Sequence, residues 1–145
     1  MACKLERRIG RSLAGVIVLD ASALISLASS KDAHHDWALE MFRDTAEFDL
    51  QMSSLTKAEV LVHPARAGQL EKFQKMLNAL DLFIAPIESH DSASLAALRA
   101  KTSLKMPDIA VLHQALKVKG SIATTDEKLV TVAKKLGVGV FHPKG

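Results

Sequence analysis

The sequence is short of several residue types, and each shortage removes a class of function. It has one cysteine, Cys3. A single thiol excludes an intrachain disulfide framework and a cysteine-based zinc cluster, and it suits a reducing, cytoplasmic setting. There is no tyrosine, and one tryptophan and five phenylalanines make up the aromatic set. Base-stacking platforms of the usual aromatic kind are therefore not expected. No apolar run approaches the ~18 residues of a membrane span, so the chain is read as soluble, with no membrane partner. The first residues, "MACKLERRIGRSLAG", are basic but lack the apolar core of about 7–15 residues that a secretory signal needs. Neither a glycine-rich phosphate loop nor a Ser/His/Asp signature is present.

What remains is a chain of 145 residues, 48% hydrophobic, with a net charge of +3. That length suits one domain with a real core. Much of the positive excess lies in Lys4, Arg7, Arg8 and Arg11. Residues 1–15 are read as a basic extension, expected to be flexible, and residues 16–145 as the folded domain. The extension could instead be an arm that binds nucleic acid.

Apolar runs alternate with amphipathic stretches. "VIVLD" (16–20) reads as a strand buried on both faces, being β-branched and without alternation. A short helix follows, with Ser22 a suitable N-cap. A second helix starts near Asp32, with Trp37, Met41 and Phe42 on its apolar face. "FDLQMSS", "LFIAPI", "SIATT" and "VGVFH" read as further strands. Between them lie helices over "SLTKAEVLVHPARAG", ended or kinked by Pro64, over "QLEKFQKMLNAL", over "HDSASLAALRAKTSL", over "PDIAVLHQALKVKG", with Pro107 opening and Gly120 closing it, and over "DEKLVTVAKKLG". Strands alternating with helices imply an α/β domain with a mainly parallel sheet. Sites in such domains form beyond the carboxyl ends of the strands.

Four acids stand where that rule directs attention. Asp20 ends the first strand, and Asp126 follows the fourth. Glu59 shares a helix face with Leu55, Val62 and Arg66, and Asp108 shares one with Val111, Leu112 and Ala115. Singly, each has an ordinary explanation. Asp20 and Asp108 suit helix starts, Glu59 can pair with Arg66, and Thr124 and Glu127 around Asp126 can form a capping box. Together they would crowd like charges into one pocket, which a divalent cation neutralises. Mg²⁺ and Mn²⁺ prefer such oxygen ligands. An acidic cluster without a protein nucleophile suits metal-assisted phosphodiester hydrolysis.

The order "LDASALI", "TKAEVLVHPARAG", "LRAKTSLKMPDIAVLHQAL", "IATTDEKL" resembles the PIN-domain nucleases, and among them the VapC-type toxins of prokaryotic toxin–antitoxin pairs. The resemblance spans about residues 16–142. It implies a PIN-like three-layer α/β/α sandwich with a central parallel sheet of about five strands. It implies that Asp20, Glu59, Asp108 and Asp126 are the catalytic, metal-binding acids, with Ser22 and Thr124 as supporting polar groups. It further implies a Mg²⁺- or Mn²⁺-dependent RNA endonuclease, an antitoxin partner and a homodimer. PIN domains that serve RNA processing or decay, and non-catalytic RNA- or protein-binding PIN modules, are the alternatives.

Arg66, Lys57 and Lys105 lie near the acids in sequence and are candidates for RNA phosphate contacts. The apolar faces bearing Trp37, Met41 and Phe42, and Leu70, Phe73 and Leu77, could receive an antitoxin helix or simply pack in the core. His34 and His35 read as solvated helix surface, and His113 reads as a partly buried packing residue.

Overall fold

The apolar run after Gly15 becomes the central strand, β1 (Val16–Leu19). Ile17, Val18 and Leu19 have no exposed surface, which is why the run does not alternate polar with apolar residues. The computed structural model describes residues 15–144, so the extension expected at residues 1–15 lies, apart from Gly15, outside the described residues. After β1 come α1 (Ala21–Ala28), α2 (His35–Asp44), β2 (Asp49–Ser53), α3 (Ser54–Arg66), α4 (Leu70–Ala79) and β3 (Phe83–Ala85). A 3-10 turn (Ser89–Asp91) then leads to α5 (Ser92–Lys101), α6 (Met106–Val118), β4 (Ser121–Ala123), α7 (Glu127–Lys135) and β5 (Val140–Phe141).

The five strands form one sheet in the order β3-β2-β1-β4-β5, with every pairing parallel. Successive side chains of a strand point to opposite faces, and β1 divides its residues accordingly. Val18 joins Leu98, Leu104, Ile109, Leu112, Ile122 and Leu129 in a core against α5, α6 and α7. Ile17 and Leu19 join Leu24, Met41, Met52, Val60 and Leu77 in a core against α1 to α4. This is the expected three-layer α/β/α architecture. Each fully buried aliphatic side chain contributes roughly 1.5–3 kcal/mol relative to exposure.

The winding explains the two helix layers. From β1 to β3 the chain steps across the sheet one way. It then returns past β1 to β4 and continues to β5. Right-handed crossovers that step in opposite directions leave their helices on opposite faces. The reversal falls between β1 and β4, so a crevice opens beyond the carboxyl ends of these two strands. The helices α3 and α6, from opposite layers, also pack on one another.

Several local details differ from the sequence expectation. Asp20, not Ser22, caps α1, accepting a hydrogen bond from its neighbour Ala21 N. Asp32 does not cap α2. It accepts hydrogen bonds from His34 N (2.8 Å) and Ser26 Oγ (3.1 Å), closing the turn ahead of the helix. Pro64 does not end α3, which runs on to Arg66; the ladder loses only the one bond that Pro64, without an N–H, cannot donate. Lys119, at φ 54°, takes the left-handed position after α6 that was expected of Gly120. Gly120 N donates to Ala115 O (2.9 Å), as the second residue of a Schellman-type stop does.

Gly120 is needed for a different reason. A Cβ there would stand 2.7 Å from Val16 O, so any larger residue would push α6 away from the central strand. Gly120→Ala is expected to destabilise the fold by about 1–3 kcal/mol through overpacking. The result should be a melting temperature several degrees lower, read by thermal unfolding. An unchanged melting temperature would show that this backbone approach is not tight.

Candidate active site

Asp20 directly follows β1 and has 6% of its surface exposed. A buried carboxylate is costly unless its oxygens are satisfied, and here both are. Oδ1 accepts from Ala21 N at 2.9 Å. Oδ2 accepts from Ser22 Oγ at 2.8 Å and from Thr124 Oγ1 at 2.6 Å. Each hydroxyl has one proton to give, and each gives it to Asp20. Their oxygens in turn accept backbone N–H groups: Thr125 N reaches Ser22 Oγ (3.0 Å) and Asp126 N reaches Thr124 Oγ1 (3.0 Å). Asp20 N also donates to Ala123 O (3.0 Å). The ends of β1 and β4 are thus joined by backbone and side chains alike.

Asp126 is the N-cap of α7, its Oδ1 accepting from Lys128 N at 2.9 Å. The capping box expected of Thr124 and Glu127 does not form, because the helix starts at Glu127 with Asp126 as its N-cap, leaving Thr124 two residues too early. Glu59 is half-buried on α3, the helix that follows β2 without a loop. Burial raises its pKa, and the nearby charges of Asp20 and Asp108 raise it further. Asp108 lies in the first turn of α6. Burial first, then the charges of Asp20 and Asp126, push its carboxyl up to about 6, against the opposing pull of Lys128 and Lys105. Four acids from four segments of the chain therefore share one field, and like charges that cannot separate favour protonation.

Among the described residues, no group of three or more His, Cys, Asp or Glu side chains is arranged to enclose a metal ion. The acids are electrostatic neighbours rather than a closed cage. Their chemistry nevertheless fits a hard divalent cation. Every donor is a carboxylate oxygen, and Mg²⁺ commonly takes only one or two carboxylates directly while keeping several waters.

The basic candidates separate. Lys105 is the N-cap of α6, three residues before Asp108. Lys57 is two residues before Glu59 on α3, and residues so spaced do not face one another. Arg66 is the last residue of α3, about 10 Å along the helix from Glu59 at the usual rise per residue. Lys128, which sequence reasoning missed, is exposed beside Asp126, and its charge reaches Asp108. The spacing Asp126-x-Lys128 at a helix start was the available signal.

The histidines belong elsewhere. His113 Nε2 and Lys117 Nζ each donate to Asp91 Oδ1 at 3.3 Å. Asp91 was not singled out by the sequence and is 4% exposed. The backbone N–H of Glu88 above all, then Lys117 and His113, holds its carboxyl down at about 2. This knot ties α6 to the start of α5. His35 Nδ1 donates to Ser26 O (2.8 Å), and His34 is exposed.

A parallel sheet wound in two directions, with acids gathered where the winding reverses, defines an α/β domain with an acid-lined edge. The chain belongs to the PIN domain family, whose sequence model matches residues 17–135, a span that holds all four acids. No curated protein matches the chain. Among solved structures it is similar to a toxin–antitoxin complex from Klebsiella pneumoniae, with 24% identity over 77% of this chain and 88% of that one and a TM-score of 0.62. It is also similar to VapBC2 from Rickettsia felis bound to a promoter DNA fragment, with 14% identity over 89% and 99% of the two chains and a TM-score of 0.66. A third is VapC20 of Mycobacterium tuberculosis, a toxin that cleaves the sarcin–ricin loop, with 11% identity over 80% and 94% and a TM-score of 0.68. At these identities the likeness is one of fold.

The raised pKa of Asp108 has a consequence for stability. The unfolded chain releases this proton near the ordinary value of 3.8, the folded chain at about 6. Between these values the folded state holds a proton that the unfolded state lacks, so stability falls as pH rises through the window. In metal-free buffer, Asp108→Asn is expected to raise the melting temperature by a few degrees at about pH 7 and to leave it unchanged at about pH 3.5. Equal shifts at both pH values would contradict this account.

Proposed function

We propose that the protein is a metal-dependent RNA endonuclease of the cytoplasm and the toxin of a toxin–antitoxin pair. The observation that carries the reading is the shared field of Asp20, Glu59, Asp108 and Asp126 at the crevice between β1 and β4. Membership of the PIN domain family and the toxins among its structural neighbours support it. These four acids would hold Mg²⁺ or Mn²⁺, which when bound activates a water for attack and stabilises the leaving oxygen. Asp20 is the best-fixed ligand, since Ser22 and Thr124 clamp one of its oxygens. One of the carboxylates takes the proton from the attacking water.

The partners in this reading are RNA, an antitoxin and a second copy of the chain. The faces first considered for the antitoxin are largely absorbed by the core. Met41 and Leu77 are buried, and Trp37, Phe42 and Phe73 pack against them. Ile25, Val62 and Leu70 on α1, α3 and α4 remain exposed, at 46%, 45% and 39%, and are the apolar contacts offered to an antitoxin helix. Among the described residues no helix is long and apolar enough to cross a membrane.

The test is cleavage of structured RNAs with Mg²⁺ or Mn²⁺, with EDTA, and by variants. EDTA is expected to abolish cleavage. Asp20→Asn and Asp108→Asn should each lose more than about 100-fold, because even partners that only orient metal ligands cost ~10–100-fold. Cleavage that persists in EDTA, or full activity in both variants, would sink the mechanism. Thr124→Val is expected to lose about 10–100-fold, with Thr124→Ser largely restoring activity since it keeps the hydroxyl given to Asp20. A Thr124→Val variant as active as the parent would show that the clamp has no role in catalysis.

A further inference from the structure

RNA brings negative charge to a site that already holds four carboxylates. Two lysines near the acids bridge to none of them. Lys105 and Lys128 are both exposed, and neither ammonium makes an ion pair or hydrogen bond among the described residues. Their placement is nevertheless fixed. Lys105 is the N-cap residue of α6, on the helix that carries Asp108. Lys128 is the second residue of α7, its backbone N–H held by Asp126 Oδ1 at 2.9 Å. The two stand on different helices, each anchored within three residues of an acid. Both are near enough to Asp108 to act on its carboxyl. Lys57 and Arg66 lack this arrangement.

We propose that Lys105 and Lys128 form a two-point clamp on the RNA backbone, each taking a phosphate that flanks the one to be cleaved. The inference rests on the nuclease reading of the same site and assigns its substrate grip. Lysine suits the task as a compact point charge on a flexible stem. The lack of aromatic platforms leaves backbone charge as the main source of affinity, so the grip tolerates many sequences and depends strongly on salt.

The experiment measures binding of a mixed-sequence single-stranded RNA of about 12 nucleotides, a length in the range such sites cover, as a function of salt. The full chain is used with Mg²⁺ in an Asp20→Asn background that prevents cleavage, and folding of each variant is checked by thermal unfolding. Lys105→Ala and Lys128→Ala should each reduce the slope of log K against log salt by about 0.7, with Lys128→Arg restoring it. Lys134→Ala, at the far end of α7, should leave it unchanged. In the cleaving protein, the two clamp variants should raise KM and leave kcat within about twofold, the pattern of a lost uniform contact. Unchanged salt slopes in the clamp variants, an equal loss in Lys134→Ala, or no RNA binding by the parent would overturn the clamp. The nuclease reading fails separately, by the absence of metal-dependent cleavage, and the binding slopes decide the clamp in either case.

Discussion

The structure turns on how the Asp20 carboxylate is held. Its partners are two hydroxyls and a backbone N–H, all neutral. Neutral donors fix the group's position and offset the cost of burial without cancelling its charge. That charge remains free to attract a cation and to repel its neighbours. Asp91 shows the opposite solution. It is equally buried, yet Lys117 and His113 bind it beside the Glu88 backbone N–H, and that N–H above all, then the lysine and histidine, holds its carboxyl low. One buried aspartate is therefore a knot between helices, and the other is a charge set beside further acids. The difference lies in whether the partner carries a compensating charge.

Everything else at the site follows from where Asp20 stands. The crevice exists because the winding reverses between β1 and β4, and the hydroxyl bridge from Ser22 and Thr124 fastens its two walls. Glu59 and Asp108 then arrive on α3 and α6, helices of opposite layers that meet one another. Burial of both acids beside Asp20 makes their ionisation unfavourable. Such crowding is what a bound divalent cation would relieve, which is how the electrostatics support the proposed chemistry.

The layers and the acids were legible because they rest on local pattern. A strand buried on both faces must be apolar throughout, so "VIVLD" declared β1, and the acid ending it marked the carboxyl end of that strand. Pro107 and Asp108 announced the start of α6. Caps and turns were less legible. Ser22 is as good a helix cap as Asp20 in isolation, but the helix already starts at Ala21, and the Ser22 hydroxyl goes to Asp20 while its oxygen takes Thr125 N, over a hundred residues away in sequence. Lys119 takes a left-handed conformation that Gly120 would accept more easily, because Gly120 is needed where Val16 O crowds the backbone. Asp91 was invisible for the same reason, and Lys128 was marked only by its spacing from Asp126. Their importance comes from neighbours on other helices.

The sequence by itself determined the alternation of strands and helices, the parallel sheet and the identity of four acids set apart from ordinary surface charge. These depend on periodicity and on residue chemistry, which act over a few neighbours. Only the tertiary structure decided that the four acids share one field, that Asp20 is clamped by neutral donors while Asp91 is neutralised, and that Lys105 and Lys128 are left uncommitted beside the acids. Electrostatic interaction falls with distance and with solvent exposure, and neither is written in the order of the residues.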